Sequence, residues 1–132
     1  MKEELRALVD YRFERARESL EEARILLEKG HANAFVNRLY YASFYAVSAL
    51  LLVHGLSSSK HSGIRALFHK HLVKPGLVDV RFGRLYDVLL ESRQKADYVD
   101  MVRLDVIEVS PWYEETIAFI SSLERVFIEL KD

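Results

Sequence analysis

Apolar residues recur at three- and four-residue steps along most of this chain. Near the N-terminus Leu5, Leu8, Val9, Phe13, Ala16, Leu20, Ala23 and Leu27 keep that rhythm, with Glu and Arg between them. The spacing predicts a long amphipathic helix from about Glu3 to Glu28, stopped by Gly30, with its charged face in solvent. From Asn33 to Val53 the pattern changes. The segment NAFVNRLYYASFYAVSALLLV carries one charge, Arg38, and apolar residues fall on every side of a helical projection. That is how a helix enclosed by others reads. The short Gly30–His31 turn predicts that these two helices pair as an antiparallel hairpin.

Gly55 closes the second helix, and Ser57, Ser58 and Ser59 offer caps for a third. The third is expected from about Lys60 to Val73, with Ile64, Leu67, Phe68 and Leu72 inward, and Pro75 and Gly76 end it. A fourth fits Val78 to about Ala96. Between Tyr98 and Val109 the rhythm breaks: Val102, Leu104 and Val106 alternate with Arg103 and Asp105, a strand pattern. A lone strand has no partner elsewhere in the chain, so this stretch reads as an ordered loop or short helix. Ser110 and Pro111 suit the N-cap and first position of a last helix, with Glu114 and Glu115 in its first turn. The sum is an all-α, antiparallel up-and-down bundle of about five helices, forming a single domain over residues 1–132.

Composition narrows this picture. At 132 residues a core needs no disulfides, and the absence of cysteine rules out a thiol nucleophile or thiolate metal site. The dense apolar part of the second helix, Phe44 to Val53, is too short to cross a bilayer, so no membrane span is expected. The charged N-terminus is unlike a secretory signal, and a cytoplasmic location is expected. No glycine-rich phosphate loop or internal repeat occurs. Net charge is −1, yet no Asp or Glu lies from Lys29 to Val78, a half-chain holding all five histidines. Such a half-chain is able to form a local basic face suited to phosphate or RNA.

Chemistry-bearing residues gather in three short clusters: Asn37-Arg38-Leu39-Tyr40-Tyr41-Ala42-Ser43-Phe44, Lys60-His61-Ser62-Gly63, and Arg93-Gln94-Lys95-Ala96-Asp97-Tyr98. Asn37, Tyr41 and Ser48 lie at helical steps and need partners if buried, since an unpaired buried polar group costs about 1–3 kcal/mol. Arg93 and Asp97 have ion-pair spacing on a helix. Arg38 is a further candidate partner for Asp97, which would staple two helices. His69 and His71 sit on opposite sides of a helix and cannot share a metal with His61, so neither a metal site nor a cofactor is expected. Lys70, His71 and Lys74 suit the C-terminal dipole of the third helix.

Together the patterns N-R-x-Y-Y-A-x-F, K-H-x-G and R-x-x-A-D-Y resemble the HEPN family, in particular its small stand-alone prokaryotic members, over nearly the whole chain. The resemblance implies a helical bundle that pairs as a homodimer, often beside a minimal nucleotidyltransferase in a toxin–antitoxin pair. In such pairs the antitoxin can nucleotidylate a toxin tyrosine. It also implies metal-independent ribonuclease chemistry at an Arg, a following polar residue and a His separated from the Arg by four to six residues. Arg93 and Gln94 match the start of that motif. The histidine positions hold Tyr98, Val99 and Asp100. Cleavage by the 2′-hydroxyl needs a base, a proton donor and a cation. Arg93 suits the cation, and His61 can replace the missing histidine if the start of the third helix packs against the end of the fourth. The tentative catalytic set is therefore Arg93, His61, Asp97 and Tyr98. Asn37, Arg38, Tyr41, Gln94 and Lys60 are candidates for binding RNA or nucleotide. The alternative is a non-catalytic dimerisation or partner-binding module whose polar cluster is structural.

Overall fold

The computed structural model describes residues 1–130. Helix α1 spans Glu3–Glu28 and buries the stripe Val9, Phe13, Ala16, Ser19 and Ala23. It stops where Gly30 turns to φ 76°, a conformation in which a Cβ is costly. Helix α2, Ala32–Val53, returns antiparallel, and α1 and α2 form the most extensive interface in the molecule. The small residues Ala16, Ala23, Ala42, Ala46 and Ala49 are all fully buried.

Helix α2 is the axis of the fold. It packs against every other helix, and Phe35, Leu39, Tyr40, Leu50 and Leu51 are fully buried. By length and composition it could cross a membrane, but 61% of its most apolar window is buried inside the bundle. Its first half keeps one open side, where Arg38, Tyr41, Phe44 and Tyr45 are only half-buried.

Helix α3, His61–Phe68, passes into a π-helical turn at His69–Val73, closed by the Lys74 N–H donating to the His69 carbonyl. The expected single α-helix from Lys60 to Val73 is thus two geometries. The wider turn carries Leu72 into the core and sets the His69 ring beside Gly83. The helix cap also differs: Lys60 is the N-cap residue and uses no side chain, while the Ser58 hydroxyl accepts from the Lys60 N–H.

Helix α4 runs Val80–Tyr98. It begins two residues later than the pattern suggests because the Asp79 carboxylate accepts from the Arg81 N–H and caps it there. The following segment is an ordered loop that ends in the single-turn α5, Val106–Val109, capped by Asp105. Ser110 and Pro111 form the joint to α6, Trp112–Leu130, rather than its cap and first residue, because α5 already turns the chain before them. The described residues therefore form five substantial helices and one extra turn, with no strand among them. The all-α bundle read from the sequence is the observed architecture.

The acid-free half-chain does not make an unbroken basic face. Asp87 of α4 accepts from Arg65 Nε and pairs with His69 Nε2, both at 2.8 Å, and Glu91 lies 3.3 Å from Arg65. Acidic residues remote in sequence are folded back beside it.

Candidate functional site

The open side of α2 faces the end of α4 and the start of α3, and the three sequence clusters meet there. Arg93 projects from α4 into the bundle and is 4% exposed. Its guanidinium carbon lies 4.8 Å from the ring centre of Tyr40, 5.6 Å from that of Tyr41 and 5.8 Å from that of Tyr98. One carboxylate approaches: Asp97 Oδ2 is 3.6 Å from Arg93 Nη1. Arg93 Nε is buried with no hydrogen-bond partner. A buried cation is tolerated when it is paired and its donors are filled. Here the pairing is long and one donor is empty, so the position favours an additional anion.

Asp97 is shared rather than dedicated to Arg93. The Asn37 amide donates to the same oxygen at 3.0 Å. The Asn37 carbonyl oxygen in turn accepts from Arg38 Nε and Nη2 at 3.1 and 2.8 Å. Arg38 continues to Glu22 of α1 at 3.3 Å and stacks over Tyr41 at 5.1 Å. The direct Arg38–Asp97 staple suggested by sequence is therefore replaced. Asn37 stands between the two, and Arg38 finds its acid on α1, a partner that helical spacing within α2 does not reveal.

His61 is the first residue of α3 and reaches the same place. Its Nδ1 shares a hydrogen bond with the Tyr40 hydroxyl. The imidazole stacks on Phe44 at 4.6 Å and meets the edge of Tyr41 at 5.9 Å. Burial, and then the Arg93 guanidinium, hold His61 below the usual histidine range. Tyr40 is fully buried, and burial pushes its phenol above the ordinary tyrosine value. Behind it Tyr86 is also fully buried, its hydroxyl unpaired, and it is pushed up still further by burial and by the Tyr40 phenol beside it.

Seven of the residues singled out by sequence thus share one cluster: Arg93, Asp97, Tyr98, Asn37, Arg38, Tyr41 and His61. Lys60 precedes His61 and is exposed, and Gln94 is exposed beside Tyr98, where both line a shallow groove. Tyr98 itself is 75% exposed. Among the described residues no three metal-ligating side chains converge. Tyr40, Phe44 and Tyr86 were not picked out by the sequence as site residues. Tyr40 and Phe44 stand four apart on α2, but aromatic residues in an apolar helix read first as core. Chemically the cluster offers a buried cation, an N–H/N acceptor on His61, an amide, a carboxylate and aromatic faces, which suits a phosphate-bearing ligand with an unsaturated ring.

A family model described as HEPN domain matches residues 9–126. The UPF0332 protein of Thermotoga maritima is 40% identical over 124 residues, covering 94% of each chain. Two proteins of Methanocaldococcus jannaschii carry the name "Putative toxin". One is 37% identical over 98 residues, 74% of this chain and 70% of its own. The other is 30% identical over 127 residues, 96% of this chain and 84% of its own.

Proposed function

The chain belongs to the HEPN family, and from that premise we propose that it is the HEPN component of a toxin–antitoxin-like pair and binds RNA or a nucleotide at the Arg93 cluster. The observation that carries this reading is the Arg93 guanidinium, buried among three tyrosines with an unfilled Nε donor and one distant carboxylate. A phosphate supplies the negative charge that the long Asp97 pairing leaves under-compensated. The relatives named as toxins support the toxin-like role. The homodimer and the minimal nucleotidyltransferase partner belong to the same proposal and rest on the family resemblance, and the cytoplasmic setting, also part of it, rests on the charged N-terminus and the absence of cysteine. The exposure of Tyr98 is compatible with its being reached and modified by that partner.

Ribonuclease activity is the finer part of the proposal. Arg93 would stabilise charge on the phosphorane, and His61, near it through Tyr40, would take the proton role of the absent motif histidine. One feature favours a second reading. The unbroken series Glu22–Arg38–Asn37–Asp97–Arg93 links α1, α2 and α4, as a structural staple would. The purified protein incubated with structured RNA in chelator separates them. Loss of cleavage in Arg93→Ala or His61→Ala supports the nuclease. No cleavage by the wild type, together with a large loss of thermal stability in Arg93→Ala, supports the staple and a non-catalytic partner-binding module.

A further inference from the structure

The Tyr40–His61 hydrogen bond has a direction, and the surroundings decide it. Tyr40 is fully buried, so its hydroxyl proton must find an acceptor or be wasted. Its geometric partner is His61 Nδ1, and a proton given by the neighbouring Tyr86 hydroxyl to the Tyr40 oxygen leaves the Tyr40 O–H still aimed at Nδ1. The nearest charge is the Arg93 guanidinium over the Tyr40 ring, which has only protons to offer. No carboxylate bonds to the Tyr40 hydroxyl. A proton on the phenol therefore points at Nδ1, and the proton of a neutral imidazole is left on Nε2. His61 Nε2 makes no hydrogen bond to a described residue and is not enclosed, so that N–H is available.

We infer that Tyr40 is a positioning residue that locks His61 as the neutral Nε2–H tautomer, so that His61 presents a hydrogen-bond donor, the proton-giving half of the role proposed above, to a phosphate held by Arg93. The ligand half of this statement rests on the proposed function. The tautomer half does not. The groups facing His61 are Tyr40, Tyr41 and Phe44 from α2 and Arg93 from α4, and none is an acid able to draw a proton onto Nδ1. Burial and Arg93 both disfavour the imidazolium, which keeps the donor neutral. Arg93 and His61 both lie against the Tyr40 ring, so one cationic and one neutral donor meet at the same site.

The test joins imidazole NMR to binding of adenosine 5′-monophosphate. A bond from the Tyr40 O–H to the Nδ1 lone pair exists only in neutral His61. Tyr40→Phe is thus expected to raise the His61 pKa and to release the tautomer bias seen in the nitrogen shifts of the wild type. Tyr40→Phe is also expected to weaken binding of the nucleotide about fivefold, the value of one neutral hydrogen bond. His61→Gln, which keeps an N–H donor but no base, is expected to hold more affinity than His61→Ala. A fall of the His61 pKa in Tyr40→Phe, or an Nδ1–H tautomer in the wild type, overturns the inference, because the phenol would then be the acceptor. The expected pKa rise without nucleotide binding by the wild type overturns the functional reading and leaves the tautomer assignment standing.

Discussion

At the scale of single residues, Gly63 explains why the K-H-x-G cluster is a unit. A Cβ at this position would lie 2.8 Å from Ser58 Cβ, with the Ser58 hydroxyl closer still. Ser58 in turn accepts from the Lys60 N–H and holds the turn that delivers His61. Gly63→Ala is expected to cost about 1–3 kcal/mol, as overpacking does, and to disturb His61. Ser58→Gly in the same chain should recover the steric part of that loss in denaturant titrations, but not the Lys60 bond. His61 adds a pH effect of definite sign. Its folded pKa is lowered, so below the unfolded value near 6.5 the unfolded chain binds the proton and the folded one resists it. Stability from this group is full above that pH and is lost as pH falls. Most site residues were legible as residue types: Asn37, Arg38, His61, Arg93 and Asp97 all stand out as polar groups at helical spacing. What spacing does not carry is the pairing. Glu22 as the partner of Arg38, and Tyr40 as the partner of His61, arise from helix crossings that no local pattern records.

At the scale of elements, the strand-like run Val102 to Val106 forms no strand, and its alternation has a cause. Val102, Leu104 and Val106 are half-buried while Arg103 and Asp105 are exposed. The extended backbone does find a hydrogen-bond partner, but it is a side chain. Asn33 donates to the Val102 carbonyl at 3.0 Å and accepts from the Leu104 N–H at 2.9 Å, doing for the loop what a neighbouring strand would do. Asn33→Ala leaves both groups unpaired and is expected to cost about 1–3 kcal/mol. Hydrogen exchange should quicken at Leu104 with little change in α1. Exchange at Leu104 as slow as in the wild type would mean that the Asn33 bonds do not hold the loop. The π turn at His69–Val73 belongs to this scale too. The three- and four-residue rhythm of Ile64, Phe68 and Leu72 cannot distinguish an α-helix from one widened in its last turn, which is why the sequence suggested a single helix.

For the whole molecule, helix α2 is both the core and one wall of the site. Its C-terminal half is enclosed, and its N-terminal half carries the tyrosines that receive Arg93. That coupling gives the bundle an alkaline weakness. Tyr40 and Tyr86 are both raised by burial, so above pH about 10 the unfolded chain loses these protons and the folded one retains them. Stability should hold through neutral pH and then fall by up to about 1.4 kcal/mol per pH unit for each of the two. In Tyr86→Phe the alkaline slope should lessen, while stability at neutral pH is unchanged or higher because an unpaired buried hydroxyl is gone. An alkaline limb no shallower than the wild type's would show that Tyr86 ionises freely in the fold.

The central claim is that Arg93 is a cation held ready for an anionic ligand, not a clamp between helices. Its most direct test is Arg93→Met, which keeps the side-chain length among the tyrosines and removes the charge, followed by thermal unfolding and by calorimetry with adenosine 5′-monophosphate. A poorly paired buried charge costs the folded state, so the expected result is a Tm unchanged or raised, with nucleotide binding weakened at least about tenfold. A loss of about 3–5 kcal/mol of stability, as when a buried ion pair is broken, with no nucleotide binding by the wild type, would contradict it.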